Sequence, residues 1–118
     1  MAHPVTHFEV LGKDAKKLQD FYSSAFGWKI DAANPMNYGV VEADGSGIGG
    51  GIGGAGPDGQ QHVTFYVEAA DLKATLDKIE GLGGKTTMPP AEVPGGPEIA
   101  LFADPEGNII GLVKEGSM

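Results

Sequence analysis

Twice along the chain, a segment that alternates apolar and polar residues runs into a helical pattern led by aspartate. That repetition constrains the fold more than any other feature. The first copy is Val5–Leu11, where a period of two marks a strand with Phe8 and Val10 on one face and His7 and Glu9 on the other. Asp14 follows as the N-cap of a helix predicted to reach Phe26. Ala15, Leu18, Phe21 or Tyr22, Ala25 and Phe26 supply its apolar stripe, and Gly27 supplies the stop. The second copy is His62–Val67, with His62, Thr64 and Tyr66 on one face and Val63, Phe65 and Val67 on the other. Asp71 then caps a helix carrying Leu72, Leu76, Ile79 and Leu82, which Gly83-Gly84 ends.

Strands follow each helix. In the first half they are predicted at Trp28–Ile30, at Tyr38–Ala43 after an Asn34-Pro35-Met36-Asn37 loop, and in the glycine-rich run beyond Asp44-Gly45. In the second half, Lys85–Met88 reads as a short strand. Pro89-Pro90 and Pro94-Gly95-Gly96-Pro97 read as bounds of a rigid loop. Ile99–Val113 reads as an antiparallel hairpin around Asp104-Pro105-Glu106-Gly107-Asn108, and Lys114–Met118 as a tail. The order is β-α-β-β-β written twice. The expected fold is α+β, one domain over 1–118 made of two βαβββ modules, about 1–57 and 58–118. One helix covers only one face of its sheet, so the modules are expected to pair into a curved, cup-like mixed sheet with the helices outside.

The run Ser46-Gly47-Ile48-Gly49-Gly50-Gly51-Ile52-Gly53-Gly54 contains G-x-G-x-x-G twice, starting at Gly45 and at Gly49. A dinucleotide site is rejected, because that motif works between a strand and a helix N-terminus and Ala55-Gly56-Pro57-Asp58-Gly59 reads as a linker. Two readings stay open for the run: a thin strand passed closely by a ligand or a partner's backbone, or a flexible loop.

Composition excludes several classes of function. Eight Lys/Arg against sixteen Asp/Glu gives a net charge of −8, which argues against nucleic-acid binding and suits a cationic ligand or simple solubility. The absence of cysteine excludes disulfides and thiol chemistry. With no signal-peptide pattern and no long apolar run, a cytoplasmic protein without a membrane partner is expected.

The chain resembles the vicinal oxygen chelate superfamily of glyoxalase I, bleomycin-resistance proteins and extradiol dioxygenases. The carrying residues are His7, Phe21-Tyr22, Phe26-Gly27-Trp28, His62-Val63, Val67, Leu82-Gly83-Gly84 and Phe102 to Asn108. The resemblance implies a metal ligand on the first and last strand of each module. It places His7 and His62 on the two first-strand positions. The last-strand positions fall on Gly111 and within the Gly47–Gly54 run, so both carboxylates of the family's four-ligand set are missing. Glu9 shares the face of His7 and is the candidate third ligand or catalytic base. Residues two apart on a strand have Cα atoms about 6.5–7 Å apart, so joint ligation would need convergent side chains.

Two functions follow from the resemblance. The first is a cup that binds or sequesters a small molecule without a full metal site, lined by Trp28, Tyr38, Thr64, Tyr66 and Phe102. The second is a lyase, isomerase or dioxygenase holding a divalent ion (Zn, Fe, Mn or Ni) on His7, His62 and Glu9. Loss of both carboxylates favours the first. A metal-free enzyme with Glu9 as base and a histidine as acid is a third reading. Pairing into a homodimer is expected from the resemblance, with each cup built within one chain or across two.

Overall fold

Asp14 caps its helix as its position predicts. Its side chain accepts from Lys17 N, and α1 (Ala15–Phe26) ends where Gly27 turns left-handed at φ 70° and donates its N–H to Ser23 O. In a computed structural model describing residues 2–45, 47–55 and 60–116, α1 is one of two helices that accompany eight strands. The sequence is strand, helix and three strands, twice over. The chain divides into two compact units, one of Thr6–Thr64 and one of Met1–Val5 with Phe65–Met118.

In the first unit, β1 (Val5–Gly12) pairs in parallel with β4 (Gly49–Gly54), the helix supplying the crossover that a parallel pair requires. Antiparallel β3 (Gly39–Val41) follows β4, and β2 (Ile30–Asp31) follows β3, giving the order β2-β3-β4-β1. The glycine run is therefore a strand. Trp28 and Lys29 precede β2 rather than opening it. On α1 the anticipated stripe was too wide: Phe21 and Phe26 stay 60% and 62% exposed. The helix's buried residue is Gln19, whose Nε2 donates to Ile52 O at 2.8 Å and Asn37 O at 3.1 Å. Ala55 donates its N–H to Gly12 O, and the rest of the expected linker, residues 56–59, lies outside the described residues.

The second unit repeats this plan. β5 (His62–Ala69) leads to α2 (Leu72–Gly81), capped by the Asp71 carboxylate through Ala74 N. β5 runs parallel to β8 (Ile109–Lys114), β8 antiparallel to β7 (Glu98–Ala103), and β7 antiparallel to β6 (Lys85–Glu92). Ala69, Leu72, Leu76, Ala100 and Leu112 form its buried core, with Val67, Ile79 and Phe102 packed against them. Leu82, beyond the helix end, is exposed. The hairpin turn is as read: Asp104 N donates to Asn108 O, and Asp104 Oδ1 accepts from Glu106 N and Asn108 N. Two segments differ from expectation. Lys114 ends β8 instead of starting a tail, and Pro89-Pro90 sit inside β6, the outermost strand of its unit, where the register to β7 shifts between Met88 and Ala91.

Candidate functional site

The two faces of β1 have different neighbours. Gly12 lies against Leu18 and Gly54 against Ala15, so Phe8, Val10 and Gly12 look toward α1. By strand alternation His7, Glu9 and Leu11 occupy the opposite face. Across from them β4 offers Gly49, Gly51 and Gly53, with Glu9 registered to Gly51. No side chain rises from β4 on this face, which leaves room for a ring.

Tyr38 supplies it. Asn34 Oδ1 accepts from Met36 N and Tyr38 N while its Nδ2 donates to Tyr38 O, and Asn37 adopts a left-handed φ of 53° that asparagine tolerates. The loop thus fixes the backbone of Tyr38 at the entry to β3. The Tyr38 ring crosses Gly51 and Gly53, both of which would meet it if they carried a β-carbon. Its hydroxyl reaches both polar side chains on this face of β1, 2.9 Å from His7 Nε2 and 2.9 Å from Glu9 Oε2, to which it donates. The imidazole and phenol planes are within 16° of parallel. Burial pushes the His7 pKa below its usual 6.5, and the Glu9 charge opposes this more weakly, so the imidazole is neutral at pH 7. Two polar side chains of β1 and the loop residue Tyr38 thus meet at one phenolic oxygen.

Trp28 packs on the helix side, its ring centroid 5.4 Å from Phe8 and 5.6 Å from Tyr22, stacked at 9° on the latter. Phe102 belongs to the apolar packing against α2. In β5, Thr64 and Tyr66 are buried, at 6% and 7% exposure, as is Ala69 at its end, while Val63 is 76% exposed. The Tyr66 ring lies over Gly111, its register partner in β8. His62, at the start of β5, is half-buried. Aligning the cap residues Asp14 and Asp71 sets Thr64 opposite His7 and Tyr66 opposite Glu9. The strand pairs Glu9–Gly51 and Tyr66–Gly111 then coincide. The internal repeat thus aligns the caps rather than the two histidines.

Sequence reasoning named His7, Glu9 and Tyr38 separately and missed their union, along with Asn34, Gln19 and Gly51. The usable signal was the glycine run itself. Rings of this chain, rather than a ligand or partner backbone, fill the slot: Phe8 over Gly50, Tyr38 over Gly51 and Gly53.

The same geometry tests the residues against a divalent metal. Gly111, where the resemblance requires a carboxylate, lies under the Tyr66 ring, and within the Gly47–Gly54 run Gly51 and Gly53 lie under Tyr38. Tyr38 already bridges the two donors of β1, and no group of three or more His, Cys, Asp and Glu side chains able to hold a metal occurs among the described residues. The donor set does not fit a closed or catalytic metal site of the usual three or four protein ligands.

A βαβββ unit written twice, with a polar cluster on the helix-free face of its first strand, defines a class that comparison makes explicit. Residues 5–112 match the Glyoxalase/Bleomycin resistance protein/Dioxygenase superfamily, and the chain belongs to it. A glyoxylase-like domain-containing protein of Didymella fabae is 30% identical over 115 residues, covering 88% of each chain. The anthracycline biosynthesis protein DnrV of Streptomyces peucetius is 27% identical over 128 residues, covering 94% of this chain and 46% of DnrV. The chain thus spans less than half the length of DnrV, and 37% of the mycobacterial relative CFP32. Among solved structures, methylmalonyl-CoA epimerase of Mycobacterium tuberculosis shares the fold with a TM-score of 0.69 at 13% identity, over 93% of this chain and 86% of that one.

Proposed function

We propose that this protein binds a small organic molecule at the helix-free face of β1, through His7, Glu9 and Tyr38 and without a complete metal site. The observation that carries the reading is the Tyr38 hydroxyl, 2.9 Å from both His7 Nε2 and Glu9 Oε2, where a metal enzyme of the superfamily would need donors directed at an ion. A bound molecule would meet an aromatic wall with a few fixed polar groups, the usual make-up of a small-molecule site. The net charge of −8 favours neutral or cationic ligands. Pairing of two chains, common in this superfamily, is part of the proposal, and light scattering that returned the mass of one chain would remove it.

The test is a thermal-shift screen of planar and cationic compounds on untagged protein, beside elemental analysis for zinc, iron, manganese and nickel. A true ligand at a hundred times its Kd stabilises the folded state by about 2.7 kcal/mol. That gain should fall in Tyr38→Phe and in His7→Ala. One divalent metal per chain, lost in a His7→Ala, His62→Ala double variant, would replace this reading with a metal-assisted lyase, isomerase or dioxygenase.

A further inference from the structure

We propose that the first unit carries a second ligand site, on the α1 side of its sheet, where the Gln19 side-chain oxygen accepts a hydrogen bond from a compact, uncharged molecule bearing an N–H or O–H donor. The proposal does not rest on the reading of the Tyr38 face, which is the other side of the same sheet.

A cavity of about 350 Å³ lies between α1 and the loop that precedes β3, a size common for small-molecule pockets. Ala15, Lys16 and Gln19 line it from the helix, Ala32 and Asn37 from the loop. Gln19 is only 9% exposed, and its amide cannot be turned round. Both Nε2 hydrogens are committed, to Ile52 O at 2.8 Å and Asn37 O at 3.1 Å, and a flipped amide would set its oxygen against those two carbonyls. Gly39 makes room for the side chain, since a β-carbon there would collide with it. The acceptor end is left over. Among the described residues no group donates to Gln19 Oε1, and the sealed side-chain atom without a partner is Thr6 Oγ1, so Gln19 Oε1 stays open. An acceptor already held in one orientation loses little freedom when a donor arrives. The remaining walls set the class of ligand. Ala15 and Ala32 add no polar side chain, so the body of the molecule is apolar. Exposed Lys16, whose ammonium is engaged by both oxygens of Asp20, disfavours a cation, and the dipole of the Gln19 carbonyl disfavours an anion.

The experiment is a titration of the nitrogen-15-labelled protein with benzamide, followed by proton–nitrogen NMR correlation. Benzamide is flat, uncharged and carries an NH2 donor. Acetophenone is its control, with a methyl group where benzamide has the NH2. Benzamide should shift, saturably, the backbone signals of residues 15, 16, 19, 32 and 37 and the side-chain NH2 signals of Gln19. Acetophenone leaves Gln19 Oε1 without a donor and should bind about tenfold more weakly. Ala32→Leu fills the cavity from the loop and leaves both Gln19 bonds in place, so it should abolish the benzamide response while the 104–108 turn keeps its signals. A cavity that holds only water gives no saturable shift at those residues, and that result overturns the proposal. Equal binding of the two probes overturns it as well, and this comparison needs no variant to fold. So does an undiminished benzamide response in Ala32→Leu. Shifts confined to residues 7, 9 and 51 would place the probe on the Tyr38 face, removing this site and leaving the other reading intact.

Discussion

Tyr38 lies across Gly51, its hydroxyl where the β-carbon of any other residue at that position would stand. Glycine at 51 is therefore a condition for the contact between the phenol and β1, and a single methyl tests it. Gly51→Ala should expel the ring from His7 and Glu9 and destabilise the protein by about 1–3 kcal/mol, the usual cost of overpacking. Urea denaturation measures the loss. Gly81→Ala is the matched control: nothing lies within 4 Å of its added carbon, and alanine there should hold or raise stability by up to about 1 kcal/mol.

Gln19 is the polar residue that α1 buries, and it ties the helix to the elements that carry the cluster. Gln19→Leu removes the donor to Ile52 O and Asn37 O and should cost about 1–3 kcal/mol. Hydrogen exchange should then quicken in residues 34–38 more than in the 104–108 turn of the other unit. Equal quickening in both would contradict a local role.

Acid should act on stability in two separate steps. The folded-state pKa of His7 is lowered, chiefly by burial, so as pH falls below 6.5 the unfolded chain takes up a proton that the folded chain refuses. Stability therefore declines from pH 6.5 down to the depressed folded pKa and levels off below it. His7→Gln should flatten that segment of the curve. Asp104 behaves as carboxylates usually do. Its bonds to Asn108, then to the backbone of Glu106 and Gly107, hold its pKa below 3.8, so its contribution is intact above 3.8 and is lost as pH falls through the lowered value. Asp104→Asn should remove only this second step. Urea midpoints taken across the pH range separate the two.

The two caps should be independent. Asp14→Ala and Asp71→Ala each remove one carboxylate bond to a first-turn N–H, worth about 1 kcal/mol, and their effects should add within about 0.5 kcal/mol. A double variant measured by thermal and chemical unfolding checks the sum.

What was legible in the sequence is what neighbouring residues decide among themselves. Asp14, Gly27, Asp71 and the Asp104–Asn108 turn act within a few positions, so the βαβββ order could be read directly. The error on α1 arose because six aromatic or apolar residues offered more stripe than the sheet beneath can cover, and the packing left Phe21 and Phe26 in water. The polar cluster was out of reach because it depends on strand register. Nothing near Tyr38 in the sequence says that Gly51 will pass beneath its ring or that Glu9 will lie opposite that glycine. Register also explains why matching the histidines misled. Histidine is the more conspicuous residue, but the caps set where each strand begins its pleat, and they pair His7 with Thr64.

Pro89 and Pro90 in β6 have a consequence for the limits of the second unit. Proline has no N–H, and successive strand residues direct theirs to opposite sides, so two in succession take a donor from the outer border of that strand as well as from its pairing to β7, which is already out of step there. A strand arriving from another molecule would find a donor missing from the ladder along that stretch. The unit fixes its own width, and its border discourages the edge-to-edge growth from which aggregates start.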